Sequence, residues 1–308
     1  MAATSGMDDF ANSVSDNRLT GLDALRGIAA LVVALGHAFY VARIDIGGSF
    51  YLAVDVFFVL SGYVMARTYE VRGFDNFVRK RLRRLWPTIA VGVLIGAVAV
   101  RDLAPIVVLI LTLTGLMWAP SFQPGPAFKL DPPMWSVVWE FAANLLHDGI
   151  FRHRPNWQLI LISATCAAWL IAAGEWSLNV GNENYNFGLG FPRALMGYCI
   201  GIVLWRSLRD RPALPFWPVL LLPLILFLDL PGLPFALLAA PLLVVCGLAG
   251  SRRLAWLGDF SFPLYAIHYP VLLLFGPWAG LTVAIVVAWL WSACAARLAR
   301  TKALAALA

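Results

Sequence analysis

The sequence predicts an all-α polytopic membrane protein: a bundle of about ten transmembrane helices, joined by one polar helix that re-enters the membrane. Three observations predict it. Hydrophobic residues make up 61% of the 308 residues and charged residues only 13%, against about 25% charged in an ordinary soluble domain. Mean hydropathy is +0.78. The apolar runs are long and do not alternate in polarity, which fits spans of roughly 20 residues in helices and not the shorter alternating strands of a barrel. A disordered chain, a coiled coil, a repeat solenoid and a soluble enzyme are thereby excluded.

Residues 1–18 are polar, carry Asp8, Asp9 and Asp16, and have no apolar centre. They read as a disordered tail and not as a signal peptide. A single membrane domain follows over 19–300, and 301–308 form a short C-terminal tail. Apolar spans lie near 24–42, 50–70, 84–100, 104–121, 157–173, 187–205, 215–230, 232–249, 259–276 and 278–296. The net charge of +6 sits in short loops between these runs, so it reports topology and not nucleic-acid binding. Basic clusters fall at Arg72–Arg84, at Arg152 and Arg154, at Arg206, Arg209 and Arg211, at Arg252 and Arg253, and at Arg297, Arg300 and Lys302, while loop 174–186 is acidic. This pattern puts both termini in the cytoplasm, in a bacterial inner membrane. Three apolar segments separate Arg84 from Arg152 where parity asks for an even number. The polar segment 134–150, after the Pro-rich loop 120–133, is the expected half-span, since polar helix at that depth survives only under protein cover or beside a cavity; eleven full spans is the alternative. Cys166, Cys199, Cys246 and Cys294 lie in apolar runs without metal-ligand spacing and read as small core residues, so no metal is expected.

Ionisable side chains inside a bilayer cost a few kcal/mol, from roughly 2.5 upward, and mark wet interiors. Arg26 and His37 are eleven residues apart in the first span, which puts them on one helical face about 16 Å apart along the axis. Asp55 and Ser61 lie in the second span beside Gly62, and Asp55 needs a partner, for which Arg26 and His37 are candidates. The basic stretch carrying Arg81, Arg83 and Arg84 ahead of Trp86-Pro87 is a topology anchor or a phosphate clamp, because an Arg fork matches phosphate oxygens. Glu140, Asn144 and His147 make a polar stripe at spacings of four and three, and Ser261, Tyr265 and His268 repeat that spacing. Arg193 is a further intramembrane charge that needs a carboxylate or a ligand.

Four stretches in this order resemble the acyltransferase-3 family of integral membrane acyltransferases: Leu22–His37, Asp55–Gly62, Trp135–Glu140 with Ser136 inside it, and Gly258–Pro270. The Arg-rich stretch before Trp86-Pro87 matches as well, and the resemblance covers about 18–298. It implies a roughly ten-span bundle that moves an acyl group, often acetyl, from cytoplasmic acyl-CoA to a hydroxyl on a carbohydrate or lipid-linked acceptor. It implies that His37 is the essential histidine, that Arg26 belongs to the Arg-Gly motif, that Arg81, Arg83 and Arg84 lie in the CoA-binding loop, and that Glu140 is the glutamate of the Trp-Ser motif. Val137 and Trp139 depart from the usual motif, which points to a subgroup with its own acceptor.

Transfer from a thioester to a hydroxyl needs a base, an oxyanion donor and a hold on the CoA phosphates. His37 fits the base, with Glu140 or Asp55 to orient it. Arg26, Arg81, Arg83 and Arg84 fit the phosphates. The alternative is a polytopic transporter or flippase of a glycan-type substrate, although no internal halves are visible in the sequence.

Overall fold

The computed structural model describes residues 19–72, 76–101, 107, 124–208 and 214–305. The expected N-terminal tail, the apolar run 104–121, Arg209 and Arg211 lie outside the described residues. The described chain is helical, with one isolated bridge between Pro126 and Glu183. The helices are α1 (Thr20–Val41), α2 (Ala53–Arg72), α3 (Phe77–Val100), α4 (Met134–Leu146), α5 (Asn156–Ala172), α6 (Gly190–Leu208), α7 (Gly232–Gly247, with a π turn inside), α8 (Leu257–Phe275) and α9 (Pro277–Ala305). A 3-10 helix, Trp217–Leu226, precedes α7. Many of these helices expose large apolar side chains on their outer faces, as helices that meet lipid do, and their backbone groups are satisfied within each helix. Five stretches are long and apolar enough to cross a membrane: Thr20–Val41, Phe50–Glu70, Phe77–Val100, Phe187–Leu208 and Pro277–Leu298.

Small residues set the packing. Helix α2 lies along α6, and α8 lies against α9, α1 and α3. A Cβ on Gly62 would stand 2.0 Å from the Tyr198 carbonyl oxygen, and one on Gly201 would stand 2.1 Å from that of Val59. The two backbones therefore touch only because these positions are glycine, the close approach expected at Gly62. Proline sits inside α8 at Pro263 and Pro270. Pro263 has no N–H for the Asp259 carbonyl, and Ser292 of α9 donates to that carbonyl instead at 3.0 Å. The break in α8 is thus repaired by its neighbour.

The polar segment forms one continuous helical stretch. Helix α4 has 13 residues and continues through a five-residue π turn, His147–Phe151, a path of about 27 Å. One end, at Trp135, lies against Gly181 and Gly190. At the other end the carbonyls of Phe151 and Arg152 accept hydrogen bonds from Arg206, which also holds Glu70 of α2. Arg206 thus answers carbonyls that the helix end leaves open. Loop 124–133 sits beside the far end of α3, where a Cβ on Gly96 would stand 2.0 Å from the Leu130 carbonyl oxygen. The polar side chains of the α4 stretch meet partners on other helices: Ser136 meets Tyr265, Glu140 meets Arg81 and Ser61, Asn144 meets Ser61, and His147 meets Tyr198. Cys166, Cys199 and Cys246 are buried as expected, but Cys294 is exposed on the outer face of α9, because that helix packs along one side only.

Candidate active site

Two cavities meet inside the bundle. The first, of 120 Å³, carries Arg26, Arg81, Arg84, Glu140, Ser61 and Ser261 in its lining and is the basic chamber. Helix α1 brings Arg26 to it, α3 brings Arg81 and Arg84, and α4 brings Glu140. Arg81 Nη2 pairs with Glu140 Oε1 at 2.5 Å, and the Ser61 hydroxyl donates to the same oxygen at 2.9 Å. Ser61 Oγ also lies 3.2 Å from Asn144 Oδ1. The second cavity, of 210 Å³, is lined by His37, Tyr40, Tyr51, Trp135 and Tyr269 with the loop residues Asn179, Asn182 and Glu183, and is the aromatic chamber. Tyr265 lines both chambers. Its hydroxyl lies 2.6 Å from Ser136 Oγ, which donates to the Pro133 carbonyl at 3.1 Å, so this pair is the wall between them.

His37 is held by a second histidine. His268 Nδ1 faces the Leu264 and Tyr265 carbonyl oxygens at 3.1 and 2.8 Å. Both are acceptors, so Nδ1 carries the proton and His268 Nε2 presents a lone pair. His37 Nδ1 lies 3.0 Å from that Nε2 and donates to it. The remaining nitrogen of His37, Nε2, is then unprotonated. This tautomer follows from the hydrogen-bond network. The rings of Phe50 and Tyr269 stand edge-on to the imidazole at 5.2 and 5.1 Å. The result is an imidazole of fixed tautomer in the wall of the aromatic chamber.

The deepest charges are paired. Arg193 Nε donates to Asp55 Oδ1 at 3.0 Å and Nη2 donates to Oδ2 at 2.8 Å, with both side chains 1% exposed. Nη1 donates to the Val180 carbonyl and Nη2 to that of Tyr51. The guanidinium also lies 5.3 Å from the Trp135 ring, a cation–π contact.

The family described as an acyltransferase domain matches residues 19–299. The chain belongs to this family of acyltransferases. It is an enzyme, an O-acyltransferase. Two curated relatives come from rhizobia. "Protein 2 in picA locus" of Rhizobium radiobacter is 28% identical over 181 residues, which is 50% of this chain and 94% of the relative. "Exopolysaccharide production protein ExoZ" of Rhizobium meliloti (strain 1021) is 32% identical over 127 residues, 39% of this chain and 40% of the relative. No solved structure matches the chain.

Within this acyltransferase the expected site residues divide. Arg26, Arg81, Arg84, Ser136, Glu140, Ser261 and Tyr265 come together at the basic chamber. His37, Trp135, Arg193 and Tyr265 meet at the aromatic one, with His268 directly behind His37. Neither carboxylate orients His37: Asp55 is spent on Arg193 and Glu140 on Arg81. These pairings win because each gives a charge-assisted guanidinium hydrogen bond, stronger than one between neutral groups. Arg83 is exposed and does not line the chamber, since the helical turn carries it away from Arg81 and Arg84. Asn144 and His147 are buried between helices: Ser61 reaches Asn144, and the Tyr198 hydroxyl lies 3.0 Å from His147 Nδ1. They belong to packing, because the stripe turns from the chamber toward α2 and α6.

Loop residues were the ones missed. Asn179, Asn182 and Glu183 line the aromatic chamber from a loop whose acidity reads only as topology. Asp131 of the Pro-rich loop is 1% exposed, neither carboxyl oxygen has a hydrogen-bond partner, and burial pushes its carboxyl well above the usual carboxylate range. A charged residue inside a proline cluster was the available signal.

Removing one member of the buried ion pair leaves an uncompensated charge. Arg193→Met is expected to cost about 3–5 kcal/mol, and Asp55→Leu combined with Arg193→Met to recover most of it. Thermal unfolding of the three variants in detergent checks this, and a double variant no more stable than Arg193→Met contradicts it.

Proposed function

We propose that this acyltransferase moves an acyl group, acetyl in the first instance, from cytoplasmic acyl-CoA to a hydroxyl of a carbohydrate or lipid-linked glycan. The acceptor reaches the other face of a bacterial inner membrane. The observation that carries this reading is that Tyr265 lines both the basic chamber and the chamber of His37. One side chain therefore separates a phosphate-binding mouth from a base. The topology is about ten crossings with both termini in the cytoplasm, so that the basic mouth faces the cytosol. The relative named for exopolysaccharide production supports a glycan acceptor.

Arg26, Arg81 and Arg84 hold the CoA phosphates at the mouth, with Glu140 fixing the Arg81 fork. A chamber of 120 Å³ takes the thin pantetheine arm and leaves the nucleotide outside. Arg26 and His37 share α1 at about 16 Å along its axis, a distance suited to that arm. The acceptor oxygen attacks the thioester carbonyl carbon while His37 Nε2 takes its proton. The Tyr265 hydroxyl turns its proton from Ser136 Oγ to the oxyanion. The C–S bond then breaks, the acyl oxygen ester remains on the acceptor, and His37 returns the proton to the CoA thiolate. His268 keeps the tautomer that makes Nε2 the base.

His37→Gln is expected to lower transfer by about 10²–10⁴-fold with acyl-CoA affinity unchanged. Mass spectrometry of the acylated acceptor together with titration of acyl-CoA checks it, and a variant that transfers at the parent rate contradicts the role. Arg81→Ala combined with Arg84→Ala is expected to raise KM for acyl-CoA about tenfold or more while kcat changes less. A fall confined to kcat contradicts phosphate binding at this mouth.

A further inference from the structure

The aromatic chamber holds more than a base. Its lining carries amide and carboxylate groups from one loop opposite tyrosine and tryptophan rings. Rings cover the apolar faces of a sugar, and amides and carboxylates take its hydroxyls. Its charge is uneven. Among the described residues of the lining, the charged side chains are Glu183 and Arg193. Arg193 is already saturated by Asp55 and by the Val180 and Tyr51 carbonyls. A ligand in this chamber thus meets the carboxylate of Glu183 without a cation left to balance an anionic group of its own.

Glu183 is held in place. The Asn186 side chain is 3% exposed, and its Oδ1 accepts the backbone N–H groups of Gly181 and Glu183 at 3.0 and 3.1 Å. The Ala127 N–H donates to the Asn182 carbonyl and the Asn184 N–H to that of Gly125, which ties this loop to the Pro-rich loop. Gly181 has φ +101 and lies against the Trp135 ring, where a Cβ would stand 2.5 Å from the ring carbons. The carboxylate therefore has a fixed backbone and a rigid aromatic wall nearby.

We propose that this loop is an acceptor-selecting site: Glu183, with Asn179 and Asn182, admits a neutral or cationic sugar unit and rejects an anionic one. This rests on the acyl-transfer reading for its consequence, but not for the binding itself. Like charge placed in a desolvated site costs enough to set specificity. The rejection comes from what stands opposite the ligand and not from the size of the chamber.

The test uses p-nitrophenyl β-glucoside and p-nitrophenyl β-glucuronide, which differ only in a carboxylate at C6. Binding of each to the full chain in detergent is measured by isothermal titration, without acyl-CoA. The parent protein is expected to bind the glucoside at least about tenfold more tightly than the glucuronide. Glu183→Lys is expected to reverse that order, and Glu183→Gln to bring the two near parity. Acyl-CoA titration of the same variants, at the other chamber, reports that they are folded. Equal affinities in the parent, or an unchanged ratio in a Glu183→Lys variant that still binds acyl-CoA, would overturn the inference. If glucoside preference holds and no acyl transfer occurs, the transfer reading falls and the selecting site stands.

Discussion

The fork between Arg193 and Asp55 is the constraint on which the rest of the bundle depends. Two full charges lie away from bulk solvent, 1% exposed each. Such a pair survives only when its geometry is good and its remaining donors are used. Both conditions hold here, since the fork is bidentate and the spare N–H groups reach the Val180 and Tyr51 carbonyls. Helix α2, helix α6, the turn before α2 and the loop after α5 are thereby fixed to one point. That point forms a wall of the aromatic chamber, so the same contact that positions the helices also removes a cation from the site.

The polar side chains sort by height along the bundle. Ser261, Tyr265 and His268 run up one face of α8, from the basic chamber, through the wall, to the back of His37. Arg26 and His37 follow the same course on α1. Two neighbouring helices thus carry parallel tracks from the arginine-lined chamber to the paired imidazoles of His37 and His268. Pro263 and Pro270 lie in this part of α8; with the Asp259 carbonyl answered from α9, the helix passes both chambers without unwinding. At the opposite end of α4, Arg206 gathers Glu70 and the last carbonyls of the π turn, which fixes the helix that carries Ser136 and Glu140.

The class of fold and the tracks were legible because they depend on spacing within one helix. Periodicity alone places Ser261, Tyr265 and His268 on a common face, and Arg26 with His37. The partners were not legible, because they depend on which helices touch. His37 meets His268 across 231 residues and Asp55 meets Arg193 across 138, and neither separation leaves a local pattern. The partners of the α4 stripe were hidden for the same reason: Ser61, Arg81 and Tyr198 reach it from α2, α3 and α6. Glu183 escaped because a charge in a loop reads as topology unless the loop is known to fold back over a cavity.

In the proposed reaction, donor and acceptor enter from opposite faces and meet at His37. Proteoliposomes with the enzyme in one sorted orientation test this most directly, with acyl-CoA confined to one compartment and an impermeant glycoside acceptor to the other. The account predicts acylated acceptor when acyl-CoA is on the side of Arg26, Arg81 and Arg84 and the acceptor is on the side of Glu183, and little or none with the compartments exchanged. Equal yield in both arrangements, or transfer only when both substrates share the basic side, would contradict it.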